Sequence, residues 1–120
     1  STTPIYVQLR NEIVKGIGRG ELSEGECLPT VRQLAADLGV NSMTVSKAYQ
    51  TLKAEGFIET DRRRGAIVRS GVQSGAQPDE RFREKLEDEL ELLSAEAKIK
   101  GLGREEFIHL CSMAFAGMEG

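Results

Sequence analysis

Three consecutive arginines, at positions 62–64, form a dense group of positive charge in this sequence of 120 residues. They stand between two short apolar segments, FIET and AIVR, a pattern that predicts a β-hairpin with a charged turn around Asp61–Gly65. Like charges at an exposed turn repel one another and contribute little to a fold. Guanidinium groups bind phosphate oxygens well, because their N–H donors match the geometry of those oxygens. We therefore predict that Arg62, Arg63 and Arg64 contact a polyanion.

The segment before this hairpin predicts a helix with two different faces. The helix begins after Asn41, a good N-cap residue, and Gly56 ends it. Apolar residues at helical spacing form its inward face: Val45, Ala48, Tyr49 and Leu52. Small, polar and basic residues form its outward face: Ser42, Met43, Ser46, Lys47 and Gln50. A helix with this outward face can enter the major groove of DNA, which is about 12 Å wide.

Two more helices are predicted upstream. In TVRQLAADLG, Thr30 is the expected cap and Gly39 the expected end. We expect this helix to bury Val31, Leu34, Ala35 and Leu38. In PIYVQLRNEIVKGI, Pro4 suits the first turn, and the expected apolar stripe is Ile5, Leu9, Ile13 and Ile17. With GRGELSEGECLP as a loop, these elements and the basic hairpin form the pattern of a winged helix-turn-helix.

Charge divides the chain into two parts. The formal net charge is −3, which argues mildly against a nucleic-acid partner. Residues 1–70, however, hold 10 Lys and Arg against 8 Asp and Glu, whereas residues 71–120 hold 6 against 11. The Gly-, Ser- and Pro-containing segment at this change of sign predicts a linker. We therefore predict a winged helix-turn-helix domain at 1–71, a linker at 72–78 and a helical tail at 79–120.

The tail predicts two amphipathic helices, one from Asp79 to Lys100 and one from Arg104 to Ala116. Two such helices cannot cover their own apolar stripes, so the pattern favours a homodimer; the alternative is that they pack back on the first domain. The residues that we expect at a dimer interface are Phe82, Leu86, Leu90, Leu93, Phe107, Leu110, Cys111 and Ala114, with Ala97 and Phe115 on the same faces. A two-fold symmetric protein implies a palindromic operator.

Residues 4–69 resemble the DNA-binding domain of GntR-family bacterial transcription regulators. The resemblance rests on PIYVQLRNEI, on LPTVRQLAADLGVNSMTVSKAYQTLKAEGFIET and on RRRGAIV. The short helical tail is similar to that of the YtrA-like branch. The resemblance implies a dimeric winged-helix regulator. Genes for GntR-family members of this size often lie beside transporter genes, which these members regulate.

Individual site residues follow from the same resemblance. It implies that Arg32 contacts phosphate and base edges, and that the wing binds DNA through Arg62, Arg63 and Arg64. It implies base reading at the start of the recognition helix by Asn41, Ser42, Met43, Thr44 and Ser46, with Lys47 beside them. Many members carry arginine at the positions of Ser42 and Ser46, and a His-Gly or Gln-Gly pair in the wing. We therefore expect this chain to read different operator bases.

Other classes of function lack the residues they need. Cys27 and Cys111 have no CxxC spacing, and we expect buried free thiols in a reducing cytosol rather than a bridge. His109 is the only histidine and has no spaced partner for a metal. No nucleophile–base set or cofactor motif is visible, so we expect neither an enzyme nor a cofactor. No apolar run approaches the roughly 20 residues that span a bilayer, and we expect a cytoplasmic protein.

The sequence therefore predicts an α fold with a small β wing. The sequence favours a transcription regulator that binds a specific palindromic operator as a homodimer. We expect this regulator to be a repressor. The contacts are expected from the recognition helix at 41–55 and the wing at 61–65. Two alternatives stay open: a winged-helix module for protein interaction, and a regulator that senses a ligand at the dimer interface. The operator bases, the target genes and any effector are not predicted.

Overall fold

The computed structural model describes residues 2–69 and 79–120, which fall into two compact units. The predicted linker at 72–78 lies outside the described residues. The elements within them, in chain order, are α1 Ile5–Gly18, α2 Val31–Leu38, α3 Ser42–Ala54, β1 Ile58–Asp61, β2 Gly65–Val68, α4 Glu80–Ile99 and α5 Arg104–Ala116. This order confirms the predicted winged helix-turn-helix followed by a pair of C-terminal helices.

Local capping fixes the helix-turn-helix. The Thr30 hydroxyl accepts the N–H of Gln33 at 3.1 Å, and the Gln33 side chain accepts the N–H of Thr30 at 3.0 Å, which forms a capping box. Gly39 ends α2 with a φ of 68°, a left-handed conformation that glycine adopts without a steric penalty. Asn41 then caps α3, since its Oδ1 accepts the N–H of Met43 at 2.8 Å. The turn between the helices is therefore short and well defined.

The core of the first unit is built around α3. Val45, Ala48 and Leu52 are completely buried and Tyr49 nearly so, which confirms the predicted inward face. The buried cluster around them includes Ile13 from α1, Ala35 from α2, Leu28 from the connecting segment, and Ile58 and Val68 from the hairpin. Because every element of the unit contributes to this one cluster, the position of α3 is set by all of them.

The hairpin has the predicted antiparallel pairing and also gains a third extended segment. β1 and β2 pair from Ile58 opposite Val68 to Asp61 opposite Gly65. The segment before α2, predicted as a loop, hydrogen-bonds along the other edge of β2, and Cys27 bridges to Ile67. The Leu28 N–H donates to the Ala66 carbonyl at 2.8 Å. Strand β2 is thereby hydrogen-bonded on both of its edges, to β1 on one and to the segment before α2 on the other.

Several burial predictions at the ends of elements were wrong. Leu38, the last residue of α2, is 50% exposed, and Ile5, the first residue of α1, is 58% exposed, because each helix end extends past the core. Pro4 caps α1 from outside rather than lying in its first turn.

The predicted burial of the two cysteines was also wrong, because both are free but exposed. Cys27 points outward because its neighbour Leu28 takes the inward position in an extended segment.

The second unit contains α4 and α5. The Asp79 side chain caps α4 by accepting the N–H of Phe82 at 2.8 Å, and Gly103 precedes α5. Neither helix contains a buried residue. The unit therefore has well-formed helices without a closed apolar core of its own.

Tyr49 yields a test of the core. Its hydroxyl donates to the Pro29 carbonyl at 2.7 Å, and burial raises the pKa of Tyr49 from 10.0 to about 12. We expect Tyr49→Phe to lower the free energy of unfolding at neutral pH by about 1 kcal/mol, because the hydrogen bond is lost. The raised pKa favours the folded state fully below pH 10.0, and this contribution is lost as the pH rises through about 12.

The advantage of the wild type over Tyr49→Phe should therefore disappear over that alkaline range, since phenylalanine does not ionise. Urea unfolding followed by circular dichroism at several pH values measures it. Tyr6→Phe is the matched control, because it removes a hydroxyl that bonds to no residue within 2–69 in the structure. A parallel loss of stability in wild type and Tyr49→Phe above pH 10.0 would contradict the assignment.

Candidate nucleic-acid interface

The first turn of α3 presents polar and apolar groups to solvent. Met43 is 74% exposed, and Ser42 is also exposed. The Oδ1 of Asn41 caps the helix. Its amide N–H groups bind to no other described residue and are therefore available to a ligand. Thr44 and Ser46 are half-buried, and the Ser46 hydroxyl accepts the Gln50 amide at 3.2 Å. These are short donors, acceptors and a thioether, suited to base edges and thymine methyl groups.

Lys47 lies one turn further along the same face. Its Nζ is 4.9 Å from the centre of the Tyr6 ring, close enough for a cation–π interaction. Lys47 forms no ion pair with an acidic residue among the described residues. Lys47 also lines a shallow depression of about 480 Å³, together with Pro4, Ile5, Tyr6, Asn41, Met43 and Thr44. Sequence patterns do not mark Tyr6 beyond its place beside the apolar stripe of α1.

The backbone of the wing tip is held by Asp61. Its Oδ1 accepts the N–H of Arg63 at 2.8 Å and that of Arg64 at 3.2 Å, and these bonds lower the pKa of the Asp61 carboxyl. Gly65 closes the turn with a φ of 78°. The turn is therefore held by backbone contacts and one carboxylate.

The three arginine side chains are all exposed but differ in their contacts. Arg64 donates from Nη2 to the Gly25 carbonyl at 2.7 Å, which links the wing tip to the segment before α2. Arg62 and Arg63 make no side-chain hydrogen bond or ion pair within residues 2–69. Two guanidinium groups are thus available to a ligand, while the third also has a structural role that the sequence did not indicate.

Arg32 occupies the second position of α2 and is exposed. It does not line the depression that joins Asn41, Met43, Thr44 and Lys47, and neither do Ser42, Ser46 or the wing arginines. The structure therefore brings four of the ten predicted DNA-binding residues together in one depression. The remaining six are distributed over the exposed surface of the same unit.

The second unit has a different type of surface. All eight residues predicted at a dimer interface are exposed or half-buried, with Leu93 51% and Leu110 52% exposed. A groove of about 620 Å³ runs between α4 and α5, and its apolar lining includes Leu90, Leu93, Ala97, Phe107, Leu110 and Ala114. Soluble monomers rarely expose a contiguous apolar surface of this kind. Six of the eight predicted residues line this groove, whereas Phe82 and Leu86 do not, and all eight are at least partly open to solvent in the single chain.

Groups for other chemistry are missing from the described ranges. Within 2–69 and 79–120, no three His, Cys, Asp or Glu residues are grouped so that they could hold a metal ion. None of the helices in those ranges is both long and apolar enough to cross a membrane. His109 is exposed on α5.

Sequence comparison relates this chain to known regulators. Residues 4–68 match the family described as bacterial regulatory proteins, gntR family. The transcriptional regulator Rv1152 of Mycobacterium tuberculosis is 42% identical over 65 residues, and the repressor YtrA of Bacillus subtilis is 40% identical over 74. These alignments cover 54% and 62% of this chain, and only 54% and 57% of the two relatives. YhcF of Bacillus subtilis, an uncharacterized transcriptional regulator, is 32% identical over 90% of this chain and 87% of its own length.

Solved structures give the same relationship. A transcriptional antiterminator from Listeria monocytogenes superposes with a TM-score of 0.88 and 28% identity, over 100% of this chain and 88% of that one. YtrA from Sulfolobus acidocaldarius, a GntR-family transcription factor, has a TM-score of 0.64 and 39% identity, over 79% of this chain and 90% of that one. The DNA-binding domain of AraR, in complex with an operator, has a TM-score of 0.53 and 28% identity, over 57% of this chain and 82% of that one.

The gntR family match covers more than half of the chain, and the relatives named above are regulators rather than enzymes. Together with the winged helix, the match over residues 4–68 shows that the chain belongs to the GntR family of bacterial regulatory proteins, with similarity to YtrA.

Proposed function

We propose that two copies of this chain bind a palindromic operator and repress transcription in the cytoplasm. In this proposal α3 enters the major groove, and the wing contacts the neighbouring backbone or minor groove. The observation that carries the proposal is the wing tip, where Arg62 and Arg63 are exposed and make no side-chain hydrogen bond or ion pair within residues 2–69. Repression is supported by the related YtrA of Bacillus subtilis, which is itself a repressor.

Base reading in this proposal depends on short side chains. Ser42, Met43 and Ser46 lack the bidentate grip of arginine on guanine, which is worth roughly 1–3 kcal/mol of discrimination. A larger share of the affinity then comes from contacts between arginine or lysine and phosphates. Such contacts release counterions, so binding should weaken steeply as salt increases. Arg32, Lys47 and the wing arginines are the cations that we assign to this role.

Dimerisation is assigned to the tail. Burial of an apolar side chain stabilises by about 25 cal/mol per Å², so a few leucines and phenylalanines on each copy supply several kcal/mol. The open groove of α4 and α5 offers that surface. We accordingly propose that residues 1–71 form the DNA-binding domain, that residues 72–78 form a linker, and that residues 79–120 form the dimerisation unit.

A second candidate is favoured by the same groove. Its volume of about 620 Å³ and its apolar lining would accept a small apolar effector, which would make the chain a ligand-sensing regulator. The alternative of a protein-interaction module is less well supported, because the outward face of α3 is mostly polar rather than apolar.

In-vitro selection from random duplex DNA at near-physiological salt tests the proposal as a whole. We expect enrichment of a palindrome, because two identical recognition helices related by two-fold symmetry read the same half-site. Enrichment of one isolated half-site would support sequence-specific DNA binding but contradict binding as a dimer. No enrichment by a folded protein would overturn specific DNA binding and favour the interaction module.

The wing is tested by replacing Arg62 and Arg63 together with alanine. We expect the affinity for the selected duplex to fall about tenfold or more, because two charge-assisted bonds to phosphate are lost. The slope of log affinity against log salt should decrease by about one for each lost contact. Fluorescence anisotropy over a salt series measures both quantities.

Two variants serve as comparisons for the wing. Arg64→Ala should change the salt slope less, because this guanidinium is already bonded to the Gly25 carbonyl. Arg81→Ala, on α4, removes an equal charge from the other unit and should leave the slope unchanged. An equal effect per removed charge in all three variants would mean that net charge, and not the wing, controls binding.

The dimer is tested with two neighbouring leucines of α4. Leu93 lines the groove, whereas Leu92 does not, and both are more than half exposed in the single chain. We expect Leu93→Asp to weaken association by roughly a hundredfold or more, because a carboxylate would be buried without a partner. Leu92→Asp is the matched control and should stay dimeric. Sedimentation equilibrium measures the dissociation constant of each variant. If Leu93→Asp stays dimeric, the interface does not lie at this groove.

A further inference from the structure

We propose that Tyr6 is a positioning residue for Lys47, and that its ring holds the ammonium group on the DNA-facing side of α3 before DNA arrives. This inference rests on the proposed function. The geometry is direct, since α1 packs along α3 and the Lys47 Nζ is 4.9 Å from the centre of the Tyr6 ring. Tyr6 is half-buried and Lys47 is exposed, so the better-packed side chain can order the more exposed one.

The chemistry of the pair suits a cation that must later bind DNA. The face of an aromatic ring is electron-rich and attracts a cation within about 6 Å of its centre. The ring does not neutralise the charge, and an ammonium group over a ring still has N–H donors for a phosphate or a base edge. Lysine has a long flexible chain, so ordering it in advance reduces the entropy that binding must remove.

Other cations in the first unit show what a structural role looks like. Arg10 lies 5.4 Å from the centre of the Phe57 ring, but it also forms an ion pair with Glu55 at 2.8 Å and donates to Asn11 at 2.9 Å. Lys15 pairs with Glu12 at 3.0 Å. Lys47 has the aromatic contact without a carboxylate partner among the described residues, so its full positive charge is available to a ligand.

The surroundings of the pair also point to DNA. Asn41, Met43 and Thr44, which form the start of the recognition helix, line the same depression as Tyr6 and Lys47. Pro4 and Ile5 form another part of its wall. The first residues of α1 thus contribute to the surface that the recognition helix presents, and Tyr6 is the aromatic residue among them.

The test is a double-mutant cycle on the full chain, with the selected duplex as the probe and an unrelated duplex of equal length as its control. We expect Tyr6→Leu to weaken binding by about two- to fivefold, which corresponds to the usual strength of an exposed cation–π contact. The same change should have no effect when Lys47 is already methionine. Lys47→Met should lower the salt slope by about one, whereas Tyr6→Leu should leave it unchanged because the cation is still present.

Aromatic variants at position 6 separate positioning from a direct contact. Tyr6→Phe keeps the ring and should bind like the wild type. Pentafluorophenylalanine at position 6 keeps nearly the same shape but removes the negative ring face, so it should bind like Tyr6→Leu. These two rings also keep the test valid if the leucine variant does not fold, and thermal unfolding confirms that each variant is intact.

Each remaining outcome overturns the inference. Additive effects in the cycle, or equal binding by the fluorinated and unfluorinated rings, would show that Tyr6 does not act through Lys47. A loss of affinity in Tyr6→Phe would show that the hydroxyl itself contacts DNA. In each of these cases the wild type still binds its duplex, so the proposed function survives. If the wild type selects no duplex, both the proposed function and the role of Tyr6 are contradicted.

Discussion

The whole first unit depends on one constraint, which is that α3 must complete the core with one face and leave the other face open to solvent, where the proposed DNA contacts lie. Val45, Ala48 and Leu52 are completely buried, and the Tyr49 hydroxyl is bonded to the Pro29 carbonyl. Because side chains on a helix recur every 3.6 residues, fixing these inward positions also fixes which residues face outward. The core therefore determines the orientation of the recognition surface, and a change in packing beneath α3 would rotate or shift the groups above it.

In the wing, the groups that hold the fold are also largely separate from the exposed charges. The turn of the wing is held by the Asp61 carboxylate and two backbone N–H groups. Exposed cations cost little in water, where the dielectric constant is high. The domain can therefore carry a local excess of positive charge for a polyanion, although the chain as a whole is acidic. The bond from Arg64 to Gly25 shows that one of the three arginines serves both the fold and the surface.

Sequence patterns predicted those features that depend on local chemistry. The caps at Thr30 and Asn41, the end of α2 at Gly39 and the two faces of α3 follow from residue types and helical spacing alone. Periodicity does not indicate where a neighbouring element ends, and for that reason Ile5 and Leu38 were wrongly assigned to the core. The contact between Lys47 and Tyr6 joins residues that are far apart in sequence, and no local signal marks such a pair.

The tail presents the opposite situation to the winged helix. Its helices of 20 and 13 residues carry apolar stripes, yet no residue on either helix is buried in the single chain. An isolated helix as short as α5 is marginal in water, and most helical stability in proteins comes from packing of the apolar face. Under the proposed dimer, association would therefore stabilise the tail as well as bring two recognition helices together. Stability would then depend on protein concentration through mass action. DNA binding and folding of the tail would be linked through the same apolar groove.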